Sequence, residues 1–99
     1  FTEGPNITRE AARELASWPK LHLIAMDFPN IDSKAETVMG KPNPNHVILL
    51  GREILLLENL VRLEECPDHF FLSSPPPKLV GGDGCPCRAV AMFPSPFPG

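Results

Sequence analysis

Apolar positions along this chain change their spacing several times, and each change predicts a different element. Ile7, Ala11, Leu15 and Trp18 recur at steps of four, four and three, the spacing of a single helical face. Thr8 stands before them as an N-cap, and Glu10 falls in the first turn, where a carboxylate complements the helix dipole. Pro19 cannot continue the pattern, so a helix over about residues 8 to 18 is predicted. Leu21 to Asp27 is then short, apolar and bounded by Pro19 and Pro29, which predicts a strand buried on both faces with Asp27 at its C-terminal end.

Residues 28 to 45 hold Pro29, Gly40, Pro42 and Pro44 and predict a long connection with one turn near Ala35–Val38. A short helix starting after Asn45, with Asn45 as N-cap, carries His46 and the run Val47 to Leu50. That run leaves no polar face, so the helix should be enclosed. A turn at Gly51-Arg52 leads to a central strand from Glu53 to Leu57, which delivers Glu58 at its end. Leu60 to Leu63 predicts one further helical turn. His69 to Ser73 and Cys87 to Phe93 predict two more strands, the first closed by Pro75 to Pro77, which cannot donate to a ladder. Between them Gly81-Gly82-Asp83-Gly84 predicts a tight turn bringing backbone close to a pocket, with Asp83 as a candidate substrate-binding residue. Pro94 to Gly99 is a proline-rich tail. Helices alternating with strands imply an α/β protein, a small mixed sheet with flanking helices.

Composition narrows what such a protein can be. Its 99 residues allow one small domain, and 42% hydrophobic with 21% charged residues is an ordinary globular balance. A net charge of −3 offers nothing to a polyphosphate backbone, which argues against nucleic acid as partner. The longest apolar stretch, Ile48 to Leu57, is interrupted by Gly51, Arg52 and Glu53, far from the ~20 residues of a membrane helix. Cys66, Cys85 and Cys87 are an odd number without repeated spacing, which favours a reducing, cytoplasmic setting over a secreted one. The start at Phe1 rather than methionine suggests a piece of a longer protein.

Most chemistry-bearing residues have a simpler explanation. Asp27 and Asp32, at and just beyond the C-terminal end of the first strand where sites collect, are candidates, but short acids near proline more commonly make turns. The glycine turn lacks the Lys-Ser/Thr pair of a phosphate loop and enters a strand, and Asp83 would repel a phosphate. Cys85-Pro86-Cys87 has the wrong spacing for zinc, and its thiols read as small hydrophobes. His22 sits in an apolar strand as a packed histidine, and His69 lies at a strand entrance. His46 by itself would be a core histidine. Glu58 is harder to dismiss, because a carboxylate after four apolar residues requires a compensating partner if buried.

The run Ile54-Leu-Leu-Leu-Glu-Asn-Leu60, with His46 twelve positions before Glu58, resembles the cyclase-like metal hydrolases that include bacterial kynurenine formamidase and isatin hydrolase. Ile7-Thr-Arg-Glu-Ala-Ala12, Ile24-Ala-Met-Asp-Phe-Pro-Asn-Ile-Asp32 and Gly81-Gly-Asp-Gly-Cys-Pro-Cys-Arg-Ala-Val90 are similar to the same family, in the same order, across its C-terminal half. The resemblance implies a swivelling β/β/α architecture, incomplete here, and a zinc or manganese site that hydrolyses an amide or formamide C–N bond. It makes His46 and Glu58 metal ligands, and implies oligomers with sites near subunit interfaces. The family's His-x-Gly-Thr-His-x-Asp-x-Pro segment, which supplies most ligands and the acid/base group, has no counterpart in these residues. The chain taken alone is therefore expected to be inactive. The alternative expectation is a non-catalytic interaction or self-association domain derived from that family.

Overall fold

The computed structural model describes residues 4–37 and 40–95. The chain divides into two compact units, Phe1–Val61 and Arg62–Gly99. The first holds helix α1 (Arg9–Ala16), strand β1 (Leu23–Ala25), helix α2 (Pro44–Leu50) and strand β2 (Leu55–Leu57). The second holds a 3-10 turn at Leu63–Glu65 and strands β3 (Phe71–Ser73) and β4 (Val90–Met92). The α/β class and the mixture of pairing directions are as the sequence predicts, with the pairing divided between two sheets, one in each unit.

α1 begins where its cap predicts. The Thr8 hydroxyl accepts the Ala11 amide at 3.1 Å, and Glu10 lies in the first turn. The helix ends sooner than the apolar spacing suggests, because Ser17 turns its amide and hydroxyl back to the Glu14 carbonyl. Trp18 thus lies beyond the helix and half exposed, its indole N–H on Glu14, and Ala12 takes the centre of the buried face.

β1 and β2 pair in parallel, with Leu23 opposite Leu55, Ile24 opposite Leu56 and Ala25 opposite Leu57. Parallel neighbours require a crossover, and the segment from Met26 to Ile54, with α2 in it, supplies one. β1 is half-buried along its length, not enclosed on both faces, and among the described residues it pairs only with β2. The core of the unit is Ala12, Met26, Ile31, Leu49 and Ile54, with Ile24, Phe28 and Leu56 packed around it.

α2 departs from its predicted form in two ways. Proline is tolerated in the first helical turn, where its missing N–H has no partner to lose, so the helix starts at Pro44 and the N-cap position falls on Asn43. Asn45 consequently lies inside the helix, fully buried. The helix is also not enclosed: Leu49 is buried, whereas Val47 and Leu50 are about half exposed. Its C-terminus is closed by the Ile54 amide on the Leu49 carbonyl at 3.1 Å and the Glu53 amide on the Leu50 carbonyl at 2.9 Å. This is a Schellman closure with Leu49 and Ile54 as its apolar contact.

The residue in the left-handed position of that closure is Glu53, at φ 59°, so the predicted strand start at Glu53 is replaced by a turn and β2 begins at Leu55. A left-handed non-glycine residue costs about 1–2 kcal/mol, partly offset in Glu53→Gly by the freer unfolded chain. Glu53→Gly should therefore stabilise the unit by about 0.5–1 kcal/mol, read as a higher urea midpoint at unchanged slope.

In the second unit β3 and β4 are antiparallel, with Phe71 opposite Met92 and Ser73 opposite Val90. Both strands are shorter than the predicted His69–Ser73 and Cys87–Phe93. The predicted helical turn at Leu60–Leu63 falls later, at Leu63–Glu65, after Arg62 adopts a left-handed conformation and joins Glu65 in an ion pair. The glycine-rich turn forms, centred on Val80-Gly81, with Gly81 at φ 73° and the Gly82 amide on the Leu79 carbonyl. Pro94 and Ser95 are exposed, and the rest of the tail lies outside the described residues, as does Val38 of the turn now seen at 34–36.

Candidate functional site

In a parallel crossover the helix runs back against the strands, so its N-terminus and the C-terminal ends of the strands share one edge, the place where sites form in open α/β sheets. His46 is the third residue of α2 and Glu58 directly follows β2, so both stand at that edge. Asn59, left-handed at φ 59°, turns the chain after Glu58, and the Leu60 amide on the Met26 carbonyl at 3.0 Å ties that turn back to β1. Asparagine is among the few residues that enter this region readily.

His46 Nε2 lies 3.6 Å from Glu58 Oε1. The imidazole side chain is 26% exposed and the glutamate 32%, so the gap between them is open to solvent. Two donor atoms of one tetrahedral ion with bonds of about 2.0–2.2 Å stand roughly 3.4 Å apart, so this separation suits a shared divalent cation. An imidazole and a carboxylate are also a fitting donor set for zinc or manganese.

The opposite side of the ring meets Asp32, from the connection between β1 and α2. Asp32 Oδ2 is 2.7 Å from His46 Nδ1 and accepts the His46 amide at 3.1 Å, while Oδ1 accepts the Asn45 amide at 2.7 Å. Asn43, at the N-cap position, makes no capping bond with its side chain, so Asp32 caps α2 from a distance. The Asp32 amide is in turn held by Asn30 Oδ1 at 2.9 Å. Burial pushes the Asp32 carboxyl up, but the His46 ring, the Asn45 and His46 amides and the His46 charge together hold it below the usual carboxylate value.

Asn45 secures this arrangement from below. Its side-chain NH2 donates to the Ile7 carbonyl at 2.9 Å and the Ile31 carbonyl at 3.0 Å, and its oxygen accepts Arg9 Nε at 3.1 Å. The Ile7 amide also reaches the Ile31 carbonyl, so the lead-in, the connection and α2 are joined at one buried point. Arg9 continues to Glu36 in an ion pair.

The structure thus brings together the two residues that the family resemblance nominates, His46 and Glu58, and adds Asp32, which the sequence reads first as a turn-maker. Asp27 is exposed, and so is His22. His69 and Asp83 belong to the second unit, where both are exposed, and the three cysteines are free thiols. Among the described residues no group of three His, Cys, Asp or Glu side chains is arranged to hold a metal ion by itself. A shallow cleft lined by Trp18, Pro19, Leu21, His22, Arg52 and Glu53 includes neither His46 nor Glu58. No described helix is long and apolar enough to cross a membrane.

No family model and no solved structure matches the chain. Among curated proteins it is similar to the kynurenine formamidase of Salinibacter ruber, with 38% identity over 68 residues, 69% of this chain. The match covers 30% of that protein, so the chain spans under a third of the length of its curated relative. This similarity supports a relationship to the cyclase-like hydrolases, the family that the sequence motifs resemble.

Proposed function

We propose that this chain is the C-terminal portion of a metal-dependent amide hydrolase of the cyclase-like type, acting on a formamide or related non-peptide C–N bond of a small molecule. The observation that carries the reading is the convergence of His46 Nε2 and Glu58 Oε1 to 3.6 Å at the edge where α2 begins and β2 ends. The similarity to a kynurenine formamidase supports the reaction class. His46 and Glu58 would hold a divalent cation, zinc or manganese, with open solvent beside them for a small substrate. When bound, such a cation supplies a Lewis acid for the carbonyl oxygen and an activated water near neutral pH.

Catalytic zinc usually has three protein ligands, and two come from this chain. Further ligands and the proton-transfer group would come from other parts of the whole protein, so these 99 residues alone would not hydrolyse a formamide. Asp83, exposed on the glycine-rich turn, is a candidate substrate contact. Its replacement by alanine would raise KM and leave metal content unchanged.

The test is made on the whole protein. Zinc or manganese should co-purify with it, and His46→Ala and Glu58→Ala should each strip the metal and abolish hydrolysis of an N-formyl arylamine. Full metal content in both variants would refute the ligand assignment. A whole protein that neither binds a cation nor cleaves formamides would favour the other reading, a non-catalytic interaction or self-association module.

A further inference from the structure

We propose that Asp32 is a positioning residue that fixes the tautomer and orientation of His46, so that Nε2 presents its lone pair to the cation; this rests on the metal-binding reading of His46 and Glu58. The Asp32 side chain is fully buried, so it is no ligand for anything arriving from solvent, whereas the imidazole it touches is partly open. Its carboxylate is held at both oxygens by the Asn45 and His46 amides, and its backbone by Asn30. The carboxylate therefore has little freedom to follow the ring, and the ring must conform to it.

An ionised carboxylate only accepts hydrogen bonds. The 2.7 Å contact between Asp32 Oδ2 and His46 Nδ1 accordingly places a hydrogen on Nδ1. The neutral ring then has one lone pair left, on Nε2, which faces Glu58 Oε1 at 3.6 Å. Two electron-pair donors facing each other across that gap call for a proton or a cation between them. Helix capping alone does not account for this geometry, because the two amide contacts already satisfy the first turn of α2. The ring contact is additional, and it is the one that selects the tautomer. Carboxylate partners of metal-binding histidines act in this way, and losing one typically weakens metal affinity about 10- to 100-fold.

The experiment uses the whole protein, metal-free and labelled with 15N-histidine. Long-range proton–nitrogen correlation at a pH where the ring is neutral should show His46 carrying its hydrogen on Nδ1. A hydrogen on Nε2 in the unmutated protein overturns the proposal, and this reading needs no variant to fold. Zinc affinity measured against a competing chelator should then fall about 10- to 100-fold in Asp32→Asn, with the tautomer shifted toward Nε2–H. An affinity within twofold of the parent overturns the positioning role. His46→Ala separates the two levels. A loss of zinc there without one in Asp32→Asn removes only the role of Asp32, whereas unchanged affinity in His46→Ala removes the metal-binding reading and this proposal with it.

Discussion

Asn45→Asp is expected to destabilise the protein by about 3 kcal/mol at neutral pH, although it preserves shape and volume. The Asn45 NH2 is the buried donor to the Ile7 and Ile31 carbonyls, at 2.9 and 3.0 Å. The substitution faces both with a carboxylate oxygen: the Ile7 carbonyl loses this donor, which costs about 1–3 kcal/mol and more when the facing group is charged, while the Ile31 carbonyl keeps the Ile7 amide but meets the same charge. Arg9 Nε retains its acceptor, so the loss belongs to the two carbonyls and not to the Arg9 contact. The sign of the pH dependence follows. The introduced carboxyl, crowded by carbonyl oxygens, has a folded pKa above its unfolded value of about 3.9, so the deficit against the parent grows as pH rises past that value and narrows below it, where a protonated carboxyl restores one donor. Urea denaturation of parent and variant at neutral and acidic pH measures both effects. A neutral-pH difference under 1 kcal/mol would show that these bonds do not hold the lead-in to α2.

Leu49→Ala is expected to cost about 2–5 kcal/mol, while Leu50→Ala costs less than about 1 kcal/mol. The two leucines are adjacent and chemically identical, so the contrast isolates position. Leu49 is fully buried among Ala12, Met26, Ile31 and Ile54, and its carbonyl accepts the Ile54 amide that closes the helix. Truncation removes its methyl groups from the core and leaves a cavity that α1 and the β1–β2 sheet fill only by moving. Leu50 is 48% exposed and loses little. Chemical denaturation of both variants decides the matter. Equal losses would mean that the outer face of α2 is covered in the whole protein, and the burial assigned to Leu49 alone would be wrong.

The candidate site was legible in part. Glu58 stands out in the sequence because four apolar residues precede it, and His46 acquires meaning only from its spacing to Glu58 and the family resemblance that spacing carries. Asp32 was visible as a candidate but reads first as a turn-making acid, since Pro-Asn-Ile-Asp is an ordinary loop sequence. What distinguishes it is a contact with a residue fourteen positions away. The register of a long connection sets that contact, and no local pattern encodes it. Asn45 departs from its expected N-cap position for a related reason. Asparagine before an apolar run matches an N-cap, but Pro44 takes the first helical position and moves the cap back by two residues.

Local chemistry determined what depends on neighbours within a turn or two: the Thr8 cap of α1, short apolar strands between prolines, the positive φ of Gly81 and the α/β class. These follow from the backbone and side-chain preferences of a few adjacent residues. Tertiary structure decided which side of α2 is buried, that Glu53 rather than a glycine closes that helix, and that Asp32, His46 and Glu58 meet. An all-apolar run carries no marker of its inner face, and only packing against α1 and the strands selects Leu49 over Leu50. Three polar residues spread from position 32 to 58 become one cluster because the parallel crossover returns β2 beside β1 and sets the N-terminus of α2 at the same edge.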